Sequence, residues 1–199
     1  MMIIRYEFWP TLTFVVVMLS WFAFIIVFLV RHKPPSAPES KRERAAIVGI
    51  VLQGVSYAFV WSIRRAWFGP IVSVSNSVEI ALAILTMALG IASVWFVSAA
   101  IRTLGQQWSL GARLIEGHQL ITAGPYRLVR NPIYTGMFGM LLATGLAVSH
   151  WVGLVTAIVV YAVGTVIRVW SEEKLLRGAF GAEFDSYARR VPAVIPFLF

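Results

Sequence analysis

Five uncharged apolar runs, separated by polar segments, dominate the pattern of the chain. A helix needs about 20 apolar residues to cross a hydrocarbon core of about 30 Å. The first three runs reach this length, whereas the last two are shorter and are joined only by His150. The pattern predicts five transmembrane helices, the last two forming a helical hairpin, at Trp9–Val30, Ala45–Ile63, Ile80–Ile101, Pro132–Ser149 and Trp151–Ile167.

The composition agrees with a membrane protein, because 59% of the residues are hydrophobic and only 13% are charged. A soluble domain has about 45–50% apolar and about 25% charged residues. We therefore expect an all-α integral membrane protein with one multi-pass domain over residues 1–199. Three N-terminal spans would occupy 1–101, and a long loop, the hairpin and a C-terminal helix would occupy 102–199. The chain has no cysteine, which excludes disulfides and thiolate chemistry.

The basic residues concentrate in alternate polar segments and so predict an orientation. Segments 31–44, 102–130 and 168–199 hold 14 of the 17 Lys and Arg residues. Lys and Arg accumulate on the cytoplasmic side of membrane proteins. We expect the N-terminus outside and the C-terminus in the cytoplasm, with the protein in the cell (inner) membrane. The net charge of +8 has the same explanation, so we expect no nucleic-acid partner.

A turn-rich basic cluster, Gly124–Gly136, leads directly into the fourth apolar run. Asn131 suits the N-cap of a helix and Pro132 suits its first position. Free N–H groups at such a helix start attract anions, and Arg130 would favour them further. The long segment that ends in this cluster, Gly105–Asn131, is either an ordinary surface loop or a cap over a ligand pocket.

A second polar cluster, formed by Arg168, Glu172 and Glu173, follows the fifth run without a break in the helical pattern, and Gly178 and Phe180-Gly181 are expected to end that helix. These residues could form surface ion pairs, such as Glu173 with Arg177. Alternatively Arg168, at the membrane edge, could bind a substrate carboxylate. A short amphipathic helix is predicted at Ala182–Arg190, followed by an apolar tail that would pack against the membrane face.

The three histidines do not have the spacing of metal ligands. His118 lies between glycine-bounded turns, His32 lies between two basic residues, and His150 lies at the opposite membrane face. We therefore expect no metal site.

Motifs in the C-terminal part of the chain point to a family. They are Gly117-His118-Gln119-Leu120-Ile121, Gly124-Pro125-Tyr126, Val129–Gly136, Glu172-Glu173-x-Leu175, Phe180-Gly181-x-Glu183-Phe184-x-x-Tyr187 and Arg190-Val191-Pro192-x-x-x-Pro196. This set covers roughly the last 85 residues and resembles the isoprenylcysteine carboxyl methyltransferase family and its relatives, the membrane phospholipid methyltransferases. The family commonly has His where this chain has Asn131, which cannot carry a proton near neutral pH.

The resemblance implies a multi-pass enzyme that uses S-adenosyl-L-methionine. By position, the cofactor-binding residues would be His118, Leu120, Ile121, Tyr126, Arg130, Asn131, Tyr134 and Glu172. Arg168 and Glu173 would be the catalytic residues at the substrate end of the pocket.

The resemblance favours O-methylation of the carboxylate of a prenylcysteine-like, lipophilic substrate that enters from the bilayer. A phospholipid N-methyltransferase, or a methyltransferase for a small thiol or another hydrophobic acceptor, is the first alternative. A membrane reductase with a nicotinamide cofactor and a non-catalytic membrane protein or transporter are further alternatives.

Overall fold

The computed structural model describes residues 8–31, 39–66, 76–109 and 112–196. These residues form α1 (Phe8–Arg31), α2 (Ala46–Ser62), α3 (Asn76–Leu104), α4 (Pro132–Val148), α5 (Trp151–Phe180) and α6 (Ala182–Ala188). In addition, β1 (Glu39–Arg42) and β2 (Arg113–Ile115) form a short antiparallel ladder. The expected helical class is confirmed for the described residues, and the ladder is a feature that the apolar pattern did not predict.

Four of the five predicted apolar runs coincide with one helix to within four residues, and the fifth lies within α5. Three of the described helices, α1, α3 and α5, are long and apolar enough to cross a membrane, and α2 and α4 are shorter apolar helices. Helix α5 continues past the apolar run, which ends at Ile167, to Phe180, as the sequence predicts. It stops at Gly181, whose φ of +50° lies in the left-handed region that favours glycine. The second polar cluster therefore lies on a continuous helix.

Helix α4 packs in the centre of the bundle. Tyr57 of α2 donates a hydrogen bond to the α4 carbonyl of Met137 (2.6 Å), and Tyr161 of α5 donates to another α4 carbonyl (2.7 Å). A Cβ atom on Gly136 would lie only 3.1 Å from the carbonyl oxygen of Ser93 in α3. The small residues of α4 thus serve close helix packing.

Helices α2 and α5 approach each other at two glycines. A Cβ atom on Gly49 would lie 2.6 Å from the carbonyl oxygen of Gly164 and would also meet the side chain of Arg168. The absence of a side chain at Gly49 therefore lets α2 approach the part of α5 that carries the second polar cluster.

The outward faces of the helices carry large apolar side chains. Exposed examples occur on α1, α2, α3 and α5, including Leu19, Val51, Ile84 and Val159. Soluble proteins rarely leave such extensive apolar surface uncovered, whereas a lipid environment favours it.

The polypeptide after α6 runs alongside the start of α4. The backbone N–H groups of Arg130 and Asn131 donate to the carbonyl oxygens of Pro192 (2.8 Å) and Ala193 (2.9 Å). The remainder of the predicted apolar tail, residues 197–199, lies outside the described residues.

Candidate active site

The start of α4 is fixed by the polypeptide that follows α6. Asn131 occupies the N-cap position and Pro132 the first helical position, as the sequence predicts. The side chain of Asn131 does not cap the helix, however, because its amide donates to the carbonyl oxygen of Ala193 (3.0 Å). The backbone of Asn131, with φ −125° and ψ 62°, departs from the extended conformation typical of capping residues. The predicted position is thus right, but the expected capping bond is absent.

Arg130 connects α4, α5 and the polypeptide after α6. Its Nε and Nη2 atoms lie 2.9 and 2.8 Å from Oε1 of Glu173. Its Nη1 atom donates to the carbonyl oxygens of Ala188 (2.9 Å) and Val191. Oε2 of Glu173 lies 3.9 Å from Arg177, so the predicted surface pair is a minor contact of this carboxylate.

Arg168 lies in a nearly closed polar environment and is only 4% exposed. Its Nη2 atom is 3.7 Å from Oε1 of Glu172, one helical turn away. Its Nη1 atom donates to Oε1 of Gln53 in α2 (3.1 Å). Its guanidinium carbon lies 4.6 Å from the ring centroid of Tyr134, within the range of a cation–π contact.

Glu172 is also held from α4, because the hydroxyl of Tyr134 donates to Oε1 of Glu172. Arg168 and Glu172 therefore form one ion pair, and Arg130 and Glu173 form the other. The sequence grouped Arg168 with Glu173 as the catalytic residues. In the structure these two side chains belong to different ion pairs.

The segment between α3 and α4 covers these ion pairs. Tyr126 is 7% exposed, and its carbonyl oxygen accepts a hydrogen bond from the hydroxyl of Tyr187 (2.6 Å). Burial, and then the negative charge of Glu172, raise the pKa of the Tyr126 hydroxyl well above its ordinary value. Nδ1 of His118 is buried without a hydrogen-bond partner among the described residues, and burial lowers the pKa of this imidazole. The segment is therefore a packed cap.

A cavity of about 170 Å³ lies beneath this cap. All ten site residues predicted from the sequence line it: His118, Leu120, Ile121, Tyr126, Arg130, Asn131, Tyr134, Arg168, Glu172 and Glu173. The structure thus brings the two polar clusters to one place, although 36 residues separate Asn131 from Arg168 along the chain.

One side of the cavity is apolar. It is lined by Phe28 of α1, by Leu104 and Trp108 near the end of α3, and by Ile133 and Met137 of α4. Trp108 is 6% exposed and contacts Phe28 edge to face, with ring centroids 5.6 Å apart. Trp108 therefore packs inside the protein.

Two contributions to the site come from the N-terminal helices and were not predicted from the sequence. Phe28 of α1 lines the cavity, and Gln53 of α2 contacts Arg168 behind it. For Gln53 a signal was available, because a polar residue within an apolar span generally has a buried partner. Phe28 is one of many aromatic residues in α1 and carried no comparable signal.

Comparison with known proteins identifies the family. The model of a family described as phospholipid methyltransferase matches residues 78–183 of this chain, and this range contains most of the residues that line the cavity. The chain belongs to the phospholipid methyltransferase family. The resemblance to isoprenylcysteine carboxyl methyltransferases is also confirmed, since several curated members are similar to it.

The curated relatives include proteins of two kinds by name. Protein-S-isoprenylcysteine O-methyltransferase B of Arabidopsis thaliana is 31% identical over 101 residues, which cover 50% of this chain and 51% of that protein. Protein-S-isoprenylcysteine O-methyltransferase of Schizosaccharomyces pombe is 30% identical over 103 residues (51% of this chain, 44% of that protein). Cobalt-zinc-cadmium resistance protein CzcN of Cupriavidus metallidurans is 34% identical over 110 residues (51% and 47%). The chain spans about half the length of the curated relatives it matches.

Within the described residues, no three His, Cys, Asp or Glu side chains come together as metal ligands would.

Proposed function

We propose that the protein is an integral membrane methyltransferase that uses S-adenosyl-L-methionine and acts on a lipophilic acceptor. We favour the carboxylate of a prenylcysteine-like molecule as the acceptor. The observation that carries this proposal is the cavity, in which two ion pairs and a packed cap meet an apolar wall. Family membership and the names of the curated relatives support it.

The side chains around the cavity fit this cofactor. S-adenosyl-L-methionine carries an ammonium group, a carboxylate, a ribose and an adenine ring. The Glu172 carboxylate, whose side chain is 28% exposed, suits the ammonium group. Leu120 and Ile121 offer apolar contacts to the adenine ring, and Nδ1 of His118 is a buried polar atom that lacks a protein partner among the described residues. These residues, with Tyr126, Arg130, Asn131 and Tyr134, would hold the cofactor.

When bound, S-adenosyl-L-methionine supplies a methyl group that is already activated by the sulfonium centre. The residues of this chain then have to align the acceptor and exclude water. Trp108 and Tyr126, both nearly buried, close the cavity from the side of the cap. Arg168 and Glu173 remain the proposed catalytic residues. The fixed cation of Arg168 would orient an acceptor carboxylate, which is already a nucleophile and needs no strong base.

The apolar wall suggests how a lipophilic acceptor reaches the cavity. Phe28, Ile133 and Met137 belong to helices that we propose to be transmembrane, so an apolar chain could extend along them from the bilayer. In this proposal all five apolar helices cross the membrane, with α4 and α5 as a hairpin. The basic loops, and with them the cavity, face the cytoplasm.

Phospholipid N-methylation is the second candidate, because the matching family model carries that description. An amine acceptor must lose a proton, and Glu173 is the carboxylate that the sequence offers as a base. In the structure the two oxygens of Glu173 face Arg130 and Arg177. A base would have to be released from these contacts, which favours the carboxylate acceptor.

Methyl transfer to defined acceptors tests the proposal. Purified protein in lipid nanodiscs is given radiolabelled S-adenosyl-L-methionine with N-acetyl-S-farnesylcysteine, its carboxamide, or phosphatidylethanolamine. We expect transfer to the carboxylate alone, and Arg168→Gln should lower turnover far more than cofactor affinity. Transfer to phosphatidylethanolamine alone would favour the second candidate. Equal loss of turnover and cofactor affinity in Arg168→Gln would remove the role assigned to Arg168.

A further inference from the structure

The charges that line the cavity do not balance. Three arginines, Arg113, Arg130 and Arg168, face two carboxylates, Glu172 and Glu173. Arg130 is paired with Glu173 at 2.8 Å, and Arg168 is paired with Glu172 at 3.7 Å. Arg113 makes no ion pair within the described part of the chain.

Arg113 is nevertheless not a solvated surface arginine. It is only partly exposed, and its Nε atom is buried without a hydrogen-bond partner among the residues that the structure describes. A buried donor that lacks a partner destabilises the protein, and the cost is larger when the group is charged. Such a donor in a cavity wall is explained when a ligand supplies the acceptor.

The position of Arg113 is fixed by the ladder between β1 and β2. Arg113 lies in β2, its neighbour Ala112 accepts a hydrogen bond from the N–H of Glu43 (3.1 Å), and Leu114 and Ile115 are buried. Nδ1 of His118, which follows on the same segment, is a second buried polar atom without a partner among the described residues. Arg113 and His118, which each carry such an atom, lie on one segment and line one cavity. A cationic donor without a protein partner at a cavity wall suits a small anion.

We propose that Arg113, assisted by His118, binds the carboxylate of a ligand in this cavity. This inference rests on the proposed function and deepens it. The carboxylate could belong to the methionine part of S-adenosyl-L-methionine or to the methyl acceptor. Arginine binds carboxylates through paired N–H donors, which gives both affinity and a defined orientation.

Two binding measurements on the full chain in detergent distinguish these sources. The first compares S-adenosyl-L-methionine with decarboxylated S-adenosyl-L-methionine by calorimetry. The second compares N-acetyl-S-farnesylcysteine with its carboxamide in the presence of S-adenosylhomocysteine. Both are made on the unmodified protein, on Arg113→Gln, and on the control Arg127→Gln, which removes the same charge from an exposed position of the same segment.

We expect the Arg113→Gln variant to lose at least tenfold in affinity for one of the two carboxylate ligands and little for its neutral counterpart. Arg113→Lys should recover part of the loss, because it keeps the charge without the paired donors. Loss in the first comparison assigns the site to the cofactor, and loss in the second assigns it to the acceptor.

The inference is overturned if Arg113→Gln and Arg127→Gln behave alike, or if the carboxylate and neutral ligands lose affinity equally. These outcomes are separate from failure of the proposed function. If S-adenosyl-L-methionine does not bind the unmodified protein, the proposed function fails, while the second comparison still tests Arg113 against a lipophilic carboxylate. Absence of a carboxylate preference in both comparisons would remove the anion site itself.

Discussion

Replacement of Gln53 by leucine should destabilise the protein, although Gln53 lies outside the motifs of the C-terminal half. Gln53 is 2% exposed and joins α2 to α5 through two hydrogen bonds. Its Oε1 atom accepts from Nη1 of Arg168 (3.1 Å), and its Nε2 atom donates to Oγ1 of Thr165 (2.9 Å). Leucine has a similar size but makes neither bond, so a charged donor loses its acceptor inside the protein.

The magnitude follows from these two bonds. A hydrogen bond to a charged group contributes about 1.5–3 kcal/mol, and a neutral one contributes about 1 kcal/mol. Because the hydroxyl of Thr165 can bond elsewhere on its own helix, we expect Gln53→Leu to cost about 2–3 kcal/mol. Gln53→Glu should restore most of this stability, because a carboxylate also accepts from Arg168.

Thermal unfolding in detergent, followed by circular dichroism, measures the effect. The matched control is Gln106→Leu, the same substitution at an exposed position. A double-mutant cycle with Arg168→Met then isolates the contact, and we expect the double variant to be at least 1 kcal/mol more stable than the sum of the single effects predicts. Additive effects, or equal losses in Gln53→Leu and Gln106→Leu, would refute this account of Gln53.

Three further predictions concern the packing, the ion pair and the cap. Gly49→Ala should destabilise the protein by about 1–3 kcal/mol, because its methyl group would meet a carbonyl oxygen of α5. The control Gly54→Ala has open space around it and should be neutral or stabilising, so equal melting temperatures of the two variants would contradict this prediction. Tyr134→Phe removes the hydroxyl that donates to Glu172, the proposed partner of the cofactor's ammonium group. Calorimetry should then show about fivefold to thirtyfold weaker binding of S-adenosyl-L-methionine, and an unchanged Kd would contradict the role of Glu172 in cofactor binding. Burial lowers the pKa of His118 below 6.5, so the unfolded state binds more protons, and the free energy of unfolding should fall as the pH drops from 6.5 to the lowered folded-state pKa. In melts taken between about pH 7 and pH 5, His118→Asn should reduce this dependence of stability on pH, and an unchanged dependence would contradict the prediction.

The sequence predicted the helices of this protein well, because lipid imposes a strong pattern. A helix that crosses a bilayer needs an uninterrupted apolar run, so its approximate limits can be recognised without knowledge of tertiary packing. The start of α4 was predicted to the residue from Asn131-Pro132, since proline favours the first helical position. The end of α5 was predicted from Phe180-Gly181, since glycine favours the position that follows a helix. The part of α5 beyond the apolar run carries Arg168 and Glu172, which pair one turn apart.

The pairing of side chains inside the site could not be predicted in the same way. Glu172 and Glu173 are adjacent in sequence, and only the rotation of α5 against α4 decides which of them meets Arg130. The bond between Gln53 and Arg168 depends on the close approach of α2 and α5 at Gly49. Such contacts between distant segments arise from packing, and no local pattern in the chain specifies them.

Binding of S-adenosyl-L-methionine to the purified, folded protein, measured by calorimetry with a nicotinamide cofactor as control, tests the central proposal most directly. We expect saturable binding in the micromolar range for S-adenosyl-L-methionine and none for the nicotinamide cofactor. Absence of S-adenosyl-L-methionine binding, in a preparation whose cooperative thermal unfolding shows that it is folded, would contradict the methyltransferase proposal. Binding of the nicotinamide cofactor in its place would favour a membrane reductase, and binding of neither would favour a non-catalytic membrane protein.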